Sequence, residues 1–419
     1  MKLNPQLEYD LIAVEHEETI HVLLDLEAPP ALAGRERPPA NLQVVLDRSG
    51  SMTGERLEAA RSALHSVVDR LGPGDTFGLV AFDDAVVVPI AAGPLDKPAA
   101  QAQIAAIGPG GMTNLSAGLL RGFQEANRGA NGRGASLVLL SDGHANQGLV
   151  DHDRLGALAE GARGERISTA TIGMGLDYDE DLLAAISRGG AANTHFAEDG
   201  DAAGAALASE VEGLLEQVIQ AASLTVRPAA EVAAVRLFND LPSTTIDDGF
   251  MVELGDFAAE QTRRLLLEVD VPGLSGLGLR QVGKLELRWV ELDSMKSQLT
   301  TIRLQVNIVP GDEAAGRTAN SEVSTEIAFQ LAQRAKRDAT DALRDGDQDR
   351  AIRVYSDAAG RLRATPNVPE DFANDLATEA ASLESLADEV SVGRDAVAAK
   401  RARMEINRQG LRRERRRGQ

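Results

Sequence analysis

The sequence predicts an α/β domain with a doubly wound, mostly parallel sheet, which is inserted into an antiparallel β-sandwich and followed by an α-helical C-terminal region. Three patterns support this prediction. Short apolar runs alternate with amphipathic segments between residues 41 and 220, a period of two dominates between 223 and 310, and helical periodicity continues from about residue 320. The predicted segments are sandwich strands at 1–37, the α/β domain at 38–220, the rest of the sandwich at 221–312, and a helical region with a basic tail at 313–419.

Five apolar runs in the α/β domain have the composition of strands that are covered on both faces. They lie at 42–46, 77–82, 86–90, 137–140 and 167–172. Between the first two runs, Leu57, Ala60 and Leu64 recur every three or four residues, as on one face of a helix. Gly72 and Pro73 then end that helix, so the order strand, helix, strand is that of a doubly wound sheet.

Strands with one solvated face are predicted on both sides of the α/β domain. Near the N-terminus, Ile20, Val22 and Leu24 occupy alternate positions, and the same period of two recurs between residues 264 and 308. Because a lone strand is not stable by itself, we expect the N-terminal strand to pair with the later ones. The α/β domain would then interrupt one sandwich.

The C-terminal region is rich in alanine and has the periodicity of helices. Pro366 and Pro369 are expected to divide it into a helical hairpin and one long final helix. Around Gly346 the spacing of residues resembles one tetratricopeptide unit. Arrays of that kind need about three units to bury a continuous core, so we favour a plain helical appendage.

Composition excludes several classes of function. The chain has no cysteine, which rules out disulfides, thiolate metal sites and cysteine nucleophiles. Its net charge of −21 argues against nucleic acid or an anionic membrane as a partner, and the Arg-rich end at 412–417 is more typical of a solvated tail. The sequence contains no signal peptide and no apolar run of membrane-spanning length, so we expect a cytoplasmic protein.

Side chains that carry oxygen follow two of the predicted strands. Asp47, Ser49 and Ser51 come after the first apolar run, and Asp142 comes shortly after the fourth. Ligands bind at the carboxyl ends of strands in open α/β sheets, so the two carboxylates would meet if these strands are neighbours. A glycine-rich loop that leads into Thr113 can bring a further hydroxyl to the same point.

Two carboxylates and three hydroxyls, without His or Cys, form a set of hard oxygen donors. Mg²⁺ takes octahedral oxygen coordination and Mn²⁺ accepts the same ligands, whereas Ca²⁺ prefers more ligands at longer distances. We therefore predict a Mg²⁺ site, with Mn²⁺ or Ca²⁺ as alternatives. Because neutral hydroxyls supply much of the donor set, the bound ion would keep much of its charge and attract an anion.

These five residues resemble the complete metal-ion-dependent adhesion site of the von Willebrand factor type A family. The resemblance covers a little under half the chain and implies a mostly parallel, six-stranded sheet with helices on both faces. It implies that Ser49, Ser51 and Thr113 contact the metal directly, while Asp47 and Asp142 act largely through water. It also implies that a protein partner completes the coordination with an Asp or Glu carboxylate.

We predict that Arg48, Gly111 and His144 form the rim that contacts the partner. The interrupted sandwich looks like the arrangement in bacterial relatives of inter-alpha-trypsin inhibitor heavy chains and, more distantly, in the integrin beta subunit. This wider resemblance rests on the order of the elements and not on motifs.

Other interpretations of the same motifs fit the sequence less well. Asp and Ser also favour helix N-caps, which alone would explain Asp47 and Ser49. The glycine-rich loop lacks the Lys and following Ser or Thr of a phosphate-binding P-loop. An acidic group at 177–181 lacks the spacing of a calcium-binding loop and is better explained as the negatively charged start of a helix.

The leading functional hypothesis is a metal-dependent protein-binding module without catalysis. The alternative is a metal-dependent hydrolase of phosphate esters, which needs a general base, and His144 is the local candidate. The family resemblance also implies a third possibility, a scaffold that docks onto an AAA+ ATPase, as in bacterial chelatase-like and MoxR-like systems.

Overall fold

The computed structural model describes residues 1–31, 37–130, 132–142, 145–175, 178–197, 200–239, 241 and 243–412. It confirms the predicted fold class: a mostly parallel sheet flanked by helices, two further sheets, and helices at the C-terminal side. The strands are β1 (Lys2–Leu7), β2 (Leu11–Ala13), β3 (Glu18–Glu27), β4 (Asn41–Asp47), β5 (Thr76–Phe82), β6 (Val86–Pro94), β7 (Ala135–Ser141), β8 (Ile167–Met174), β9 (Ala191–Ala197), β10 (Gln217–Pro228), β11 (Ala234–Leu237), β12 (Ser243–Ile246), β13 (Gly249–Ala258), β14 (Thr262–Val271), β15 (Gly278–Glu291) and β16 (Lys296–Val309). The helices are α1 (Glu55–Arg70), α2 (Lys97–Ala105), α3 (Leu115–Ala130), α4 (His152–Gly164), α5 (Glu180–Gly189), α6 (Gly200–Leu215), α7 (Gly311–Ala315), α8 (Ser321–Arg344), α9 (Gln348–Arg363), α10 (Glu370–Ser391) and α11 (Asp395–Arg412).

The α/β part contains one six-stranded sheet with the order β6-β5-β4-β7-β8-β9. All neighbouring strands are parallel except β5 and β6. The prediction that β6 is covered on both faces is wrong, because β6 is an antiparallel edge strand whose side chains are mostly half-buried or exposed. The five apolar runs also leave out β9, an edge strand of small and polar residues. The carboxyl ends of the four central strands, β5, β4, β7 and β8, all lie along the same side of the sheet, which is called the edge below.

Two layers of helices cover this sheet. On the central strand β4, Val44 belongs to the core formed with α1, α2 and α6, while the next residue, Val45, belongs to the core formed with α3, α4 and α5. A Cβ on Gly122 of α3 would lie 2.3 Å from Cγ2 of Val45, so the glycine allows this helix to approach the sheet closely. The strand is therefore buried on both faces, as its apolar sequence predicts.

The sandwich consists of two sheets with the orders β1-β3-β14-β11 and β12-β13-β10-β15-β16-β2. The N-terminal strand β3 pairs with β14 over ten residue pairs, from Glu18 opposite Val271 to Glu27 opposite Thr262. Side chains between the two sheets form one apolar core, which includes the indole of Trp289. The first strands of the chain therefore complete a sheet whose other strands follow the α/β part.

The C-terminal helices pack around a core of their own. α8 and α9 form the predicted hairpin, with a turn at Gly346, where φ is +78°. The prediction of one long helix after Pro369 is wrong, because α10 ends at Ser391 and α11 follows Gly393, where φ is +75°. Glycine adopts that left-handed conformation at little cost, which separates the two helices. Across the described residues, every helix is too short or too polar to span a membrane.

The helical region contacts both other parts of the molecule. Val323 of α8 packs with Leu23 of β3, in a small core against the sandwich. On α11, Lys400 Nζ lies 3.3 Å from Oε1 of Glu180, in the first turn of α5. The acidic start of α5 therefore meets a basic helix of the same chain.

A buried lysine joins three helices of the C-terminal region. Lys336 of α8 is fully buried, and its Nζ lies 2.7 Å from Oε1 of Glu379 on α10 and 2.8 Å from Oε2 of Glu405 on α11. Glu379 is fully buried too and accepts a hydrogen bond from Gln333 at 2.8 Å. Burial alone would raise the pKa of Glu405, but the charge of Lys336 and the hydrogen bond it donates hold that pKa below its ordinary value. The lysine is thus the counter-ion for both carboxylates.

We expect Lys336→Met to lower the free energy of unfolding of the helical region by about 3 kcal/mol, because two carboxylates lose the buried ammonium that pairs with both of them. Urea denaturation and hydrogen exchange in α8, α10 and α11 would measure the loss. The control is Lys2→Met, since the Lys2 side chain is 78% exposed and its pairing with Glu27 should contribute little. Unchanged stability of the Lys336→Met protein would contradict this prediction.

Candidate metal centre

Parallel pairing of β4 and β7 brings the two predicted carboxylates to one sheet edge. Leu46 lies opposite Leu140, so Asp47 and Asp142 follow at the same end of neighbouring strands. Both residues are buried, with exposed fractions of 0% and 1%. Carboxylates removed from water are costly unless hydrogen bonds or positive charges compensate. The surroundings of this pair supply both.

Hydrogen bonds link the two carboxylates through serine residues. The Ser49 amide donates to Oδ1 of Asp47 at 2.8 Å, and the Ser141 hydroxyl donates to Oδ2 at 2.7 Å. The hydroxyls of Ser49 and Ser51 lie 3.1 Å apart, and Ser51 Oγ donates to Oδ1 of Asp142 at 2.8 Å. Four of the five predicted site residues therefore belong to one hydrogen-bonded network.

The local backbone explains how the serines reach this position. The bond from the Ser49 amide to Asp47 closes a short turn directly after β4. A single 3-10 turn at Gly50–Met52 follows, with Met52 buried in the apolar core below the edge. The alternation of polar and other residues in this segment therefore keeps the serine hydroxyls at the edge and the methionine inside.

The glycine-rich loop joins the serine turn through backbone hydrogen bonds. The Gly110 amide donates to the carbonyl oxygen of Arg48 at 2.6 Å, and the Gly50 amide donates to that of Gly111 at 2.8 Å. Thr113 is buried two residues further along the loop. The structure thus joins four of the five predicted residues in one network and packs the loop that carries Thr113 against the serine turn, while their coordination of a metal stays a prediction.

The electrostatics of the edge favour a cation. Burial raises the pKa of Asp47, hydrogen bonds from Ser141 and Ser49 oppose the rise, and the charge of Asp142 adds to it. The Arg56 guanidinium of α1 supplies one positive charge, with Nη1 at 2.6 Å from Oδ2 of Asp142. Two carboxylates therefore face one guanidinium, which leaves an excess negative charge.

Two of the three predicted rim residues bind Asp83, which the sequence analysis did not single out. Arg48 Nη2 lies 3.0 Å from Oδ2 of Asp83, and the Gly111 amide donates to the same oxygen at 3.2 Å. The third, His144, lies outside the described residues. Asp83 directly follows β5, the strand beside β4. Its position after an apolar run could therefore have indicated that it lies at the same end of the sheet as Asp47.

Further residues support the site without having been predicted. The side-chain oxygen Oδ1 of Asn146 accepts a hydrogen bond from the backbone amide of Thr113 at 2.9 Å. The backbone amide of Asn146 donates to the carbonyl oxygen of Thr113 at 3.2 Å. Ser141, the last residue of β7, could have been found from the same strand end as Asp142. Asn146 and Arg56 lie in a loop and a helix, where no pattern in the sequence separates them from other polar residues.

The donor set suits a hard cation. Its carboxylate and hydroxyl oxygens are the ligand types that Mg²⁺ prefers. Within the described ranges, three or more His, Asp or Glu side chains never come together in a way that could hold a metal ion. A cation at this edge would therefore depend on the hydroxyls of Ser49, Ser51 and Thr113 as well as on the carboxylates.

Comparison with known proteins identifies the α/β part. Residues 41–210 match the family model of the von Willebrand factor type A domain. The uncharacterized protein sll0103 from Synechocystis sp. is 29% identical over 347 residues, which cover 77% of this chain and 78% of that protein. Inter-alpha-trypsin inhibitor heavy chain H1 from Bos taurus is 30% identical over 190 residues, which cover 42% of this chain and 20% of the bovine protein.

Solved structures share the fold over nearly the whole chain, and two of them cover 97% and 98% of it. The structure of von Willebrand factor type A from Catenulispora acidiphila matches with a TM-score of 0.73 and covers 97% of this chain and 96% of that chain, at 18% identity. At this identity the likeness concerns the fold. Together with the family match, it shows that residues 41–210 form a von Willebrand factor type A domain.

Proposed function

We propose that this protein is an interaction module that captures an Asp or Glu side chain of a partner protein through a divalent cation, without catalysis. Domains of the von Willebrand factor type A family mediate interactions between proteins. Mg²⁺ is the ion we expect, with Mn²⁺ or Ca²⁺ as alternatives. The residues that would hold the ion are Asp47, Ser49, Ser51, Thr113 and Asp142.

The observation that carries the proposal is the pair of buried carboxylates joined by serine hydroxyls. Asp47 and Asp142 are linked through Ser49 and Ser51, and Arg56 compensates only one of the two charges. Buried charges are costly, and a network that served stability alone could be replaced by apolar side chains with little loss. Excess negative charge on hard oxygen donors instead suits a small divalent cation.

When bound, a divalent cation would supply positive charge and a coordination position for a foreign carboxylate. The chain's own residues determine how much of that charge remains. Ser49, Ser51 and Thr113 offer neutral oxygens, which do not cancel it. Arg48 and Gly111 are fixed by Asp83, so the rim around the site is already ordered. An AAA+ ATPase with an exposed acidic residue is one kind of partner that such a site would fit.

The hydrolase alternative has no observation in its favour. Hydrolysis needs a base beside the metal, and the candidate, His144, lies outside the described residues. Asp47 and Asp142 have both carboxylate oxygens engaged by donors of the chain, which suits support of a site more than proton transfer. We therefore propose binding alone.

Gly110, in the glycine-rich loop, is packed too closely for a side chain. A Cβ on Gly110 would lie 1.6 Å from Oδ2 of Asp83, whereas a Cβ on Gly108 would have nothing within 4 Å. The same oxygen of Asp83 binds Arg48 and Gly111. A methyl group at Gly110 would therefore displace the loop that carries Thr113.

We expect Gly110→Ala to weaken Mg²⁺ binding by about tenfold or more, because Thr113 would move away from the serine turn. Isothermal titration calorimetry would give the two dissociation constants. The matched control is Gly108→Ala, which should bind Mg²⁺ like the wild type. Equal affinities of the two alanine variants would contradict the proposed role of the loop.

Mg²⁺ should stabilise the metal-free protein against thermal unfolding, by about 2.7 kcal/mol at an ion concentration 100 times the dissociation constant. Asp47→Asn should abolish this response. Asn has nearly the same shape as Asp, and its side-chain oxygen can still accept the hydrogen bond from the Ser49 amide, so the metal-free fold should be retained. Asp84→Asn, which removes an exposed carboxylate at the same edge, should retain the response. Stabilisation that survives Asp47→Asn would count against the metal site.

Partner capture should require both the ion and Asp47. Immobilised wild-type protein should retain a partner in Mg²⁺ and release it into EDTA, whereas the Asp47→Asn protein should not retain it. Exchanging one exposed Asp or Glu of that partner for the corresponding amide should abolish capture. Retention of the partner in EDTA by both proteins would show that the interaction does not use the cation.

A further inference from the structure

Arg56 occupies one side of the candidate metal centre. Its Nη1 lies 2.6 Å from Oδ2 of Asp142, whose side chain is fully buried, and the Arg56 side chain is 36% exposed. Ser51 binds the other oxygen of the same carboxylate. Both oxygens of Asp142 are therefore engaged by the chain itself, and only one of them by a group of the predicted donor set.

The guanidinium is fixed from its other side by a glycine. Gly175 follows β8 with φ of +83°, and its amide donates to the carbonyl oxygen of Ala197 at 2.8 Å. A Cβ at this position would lie 2.8 Å from Nη2 of Arg56. Arg56 is therefore packed between the backbone of this turn and Asp142, rather than free to swing into solvent.

The charge at the centre then follows from counting formal charges. Asp47 and Asp142 contribute two negative charges, and Asp83 nearby is paired with Arg48. With Arg56 the cluster carries one negative charge, and without Arg56 it would carry two. A divalent cation would thus leave a net charge of +1 in the wild type and zero in a variant that lacks the guanidinium.

We propose that Arg56 is a positioning residue that determines the specificity of this centre: by sharing Asp142, it weakens cation binding and leaves the loaded site positively charged for a carboxylate ligand. This inference rests on the proposed function. Ser51 and Arg56 together engage both oxygens of Asp142, so a cation that uses both oxygens must displace the guanidinium. Ca²⁺, which uses bidentate carboxylates more readily than Mg²⁺, is therefore disfavoured more strongly.

Arg56→Gln tests the inference through metal affinity alone. Removing a positive charge that touches a supporting carboxylate should tighten Mg²⁺ binding by about tenfold, and Ca²⁺ binding by more than that. Isothermal titration calorimetry on the full chain, with each ion separately, would give both constants. Arg56→Lys keeps the charge and should stay close to the wild type. Arg70→Gln, an exposed change at the far end of α1, is the matched control and should change neither constant.

Acetate serves as the carboxylate probe. In the wild type, replacing chloride with acetate should tighten apparent Mg²⁺ binding, and this effect should shrink in Arg56→Gln because the loaded site is neutral. A purely structural role for Arg56 predicts the opposite change, weaker Mg²⁺ binding in Arg56→Gln.

The outcomes separate this inference from the proposed function. Wild-type protein that binds neither Mg²⁺ nor Ca²⁺ would overturn both. Wild-type binding together with an unchanged or weaker Mg²⁺ constant in Arg56→Gln would overturn the role of Arg56 and leave the metal centre intact. Tenfold tighter binding in Arg56→Lys as well would show that the charge is not the cause, and would also overturn the inference.

Discussion

Parallel pairing between β4 and β7 places two acidic residues, far apart in the sequence, side by side in a region that water hardly reaches. The rest of this edge compensates for that arrangement. Ser49 and Ser141 donate to one carboxylate, while Ser51 and Arg56 donate to the other. The donors come from three separate segments of the chain, so the edge requires the complete sheet and not a local motif. The fold therefore holds these groups in place, and loops supply the further contacts.

The sequence predicts those parts of the fold that burial imposes on composition. β4 and β7 are covered on both faces, so their apolar runs are unambiguous. β9 is an edge strand whose side chains are mostly half-buried. Its sequence therefore contains small and polar residues rather than an apolar run. The break between α10 and α11 falls at Gly393, after the weak helix formers at 390–392, but a single glycine is a weaker breaking signal than Pro366 and Pro369 earlier in the region. Periodicity locates covered elements, and it loses information wherever an element has an open side.

The candidate site likewise contains residues that the sequence predicts and residues that only the structure reveals. Asp47, Ser49 and Ser51 are close together in sequence and form a recognisable pattern, and Thr113 and Asp142 follow features that mark strand and helix ends. Arg56 and Asn146 act through contacts that exist only in the folded molecule, and each is an ordinary polar residue in its own segment, whereas Asp83 at least follows the end of a strand. A pattern can therefore locate the donors of such a centre, while the groups that adjust its charge and rigidity require coordinates.

The helical region also neutralises acidic surface of the chain. Lys400 and Arg403 of α11 lie near Glu180 and Asp181 at the start of α5, where the helix dipole already favours negative charge. Within the described residues, basic side chains of α11 therefore form ion pairs inside the chain. These pairs neutralise part of the acidic surface at α5, so the net charge of −21 is not spread evenly over the molecule.

Pairing of β3 with β14 has a consequence for biosynthesis. The strand at Glu18–Glu27 is translated before the von Willebrand factor type A domain, yet its partner at Thr262–Val271 is translated only after that domain. That domain can fold around its own strands meanwhile, whereas β3 has only β1 to pair with until β14 is translated. During this interval one backbone edge and the apolar face of β3 stay uncovered, which exposes them to chaperones and to other unfinished copies of the chain.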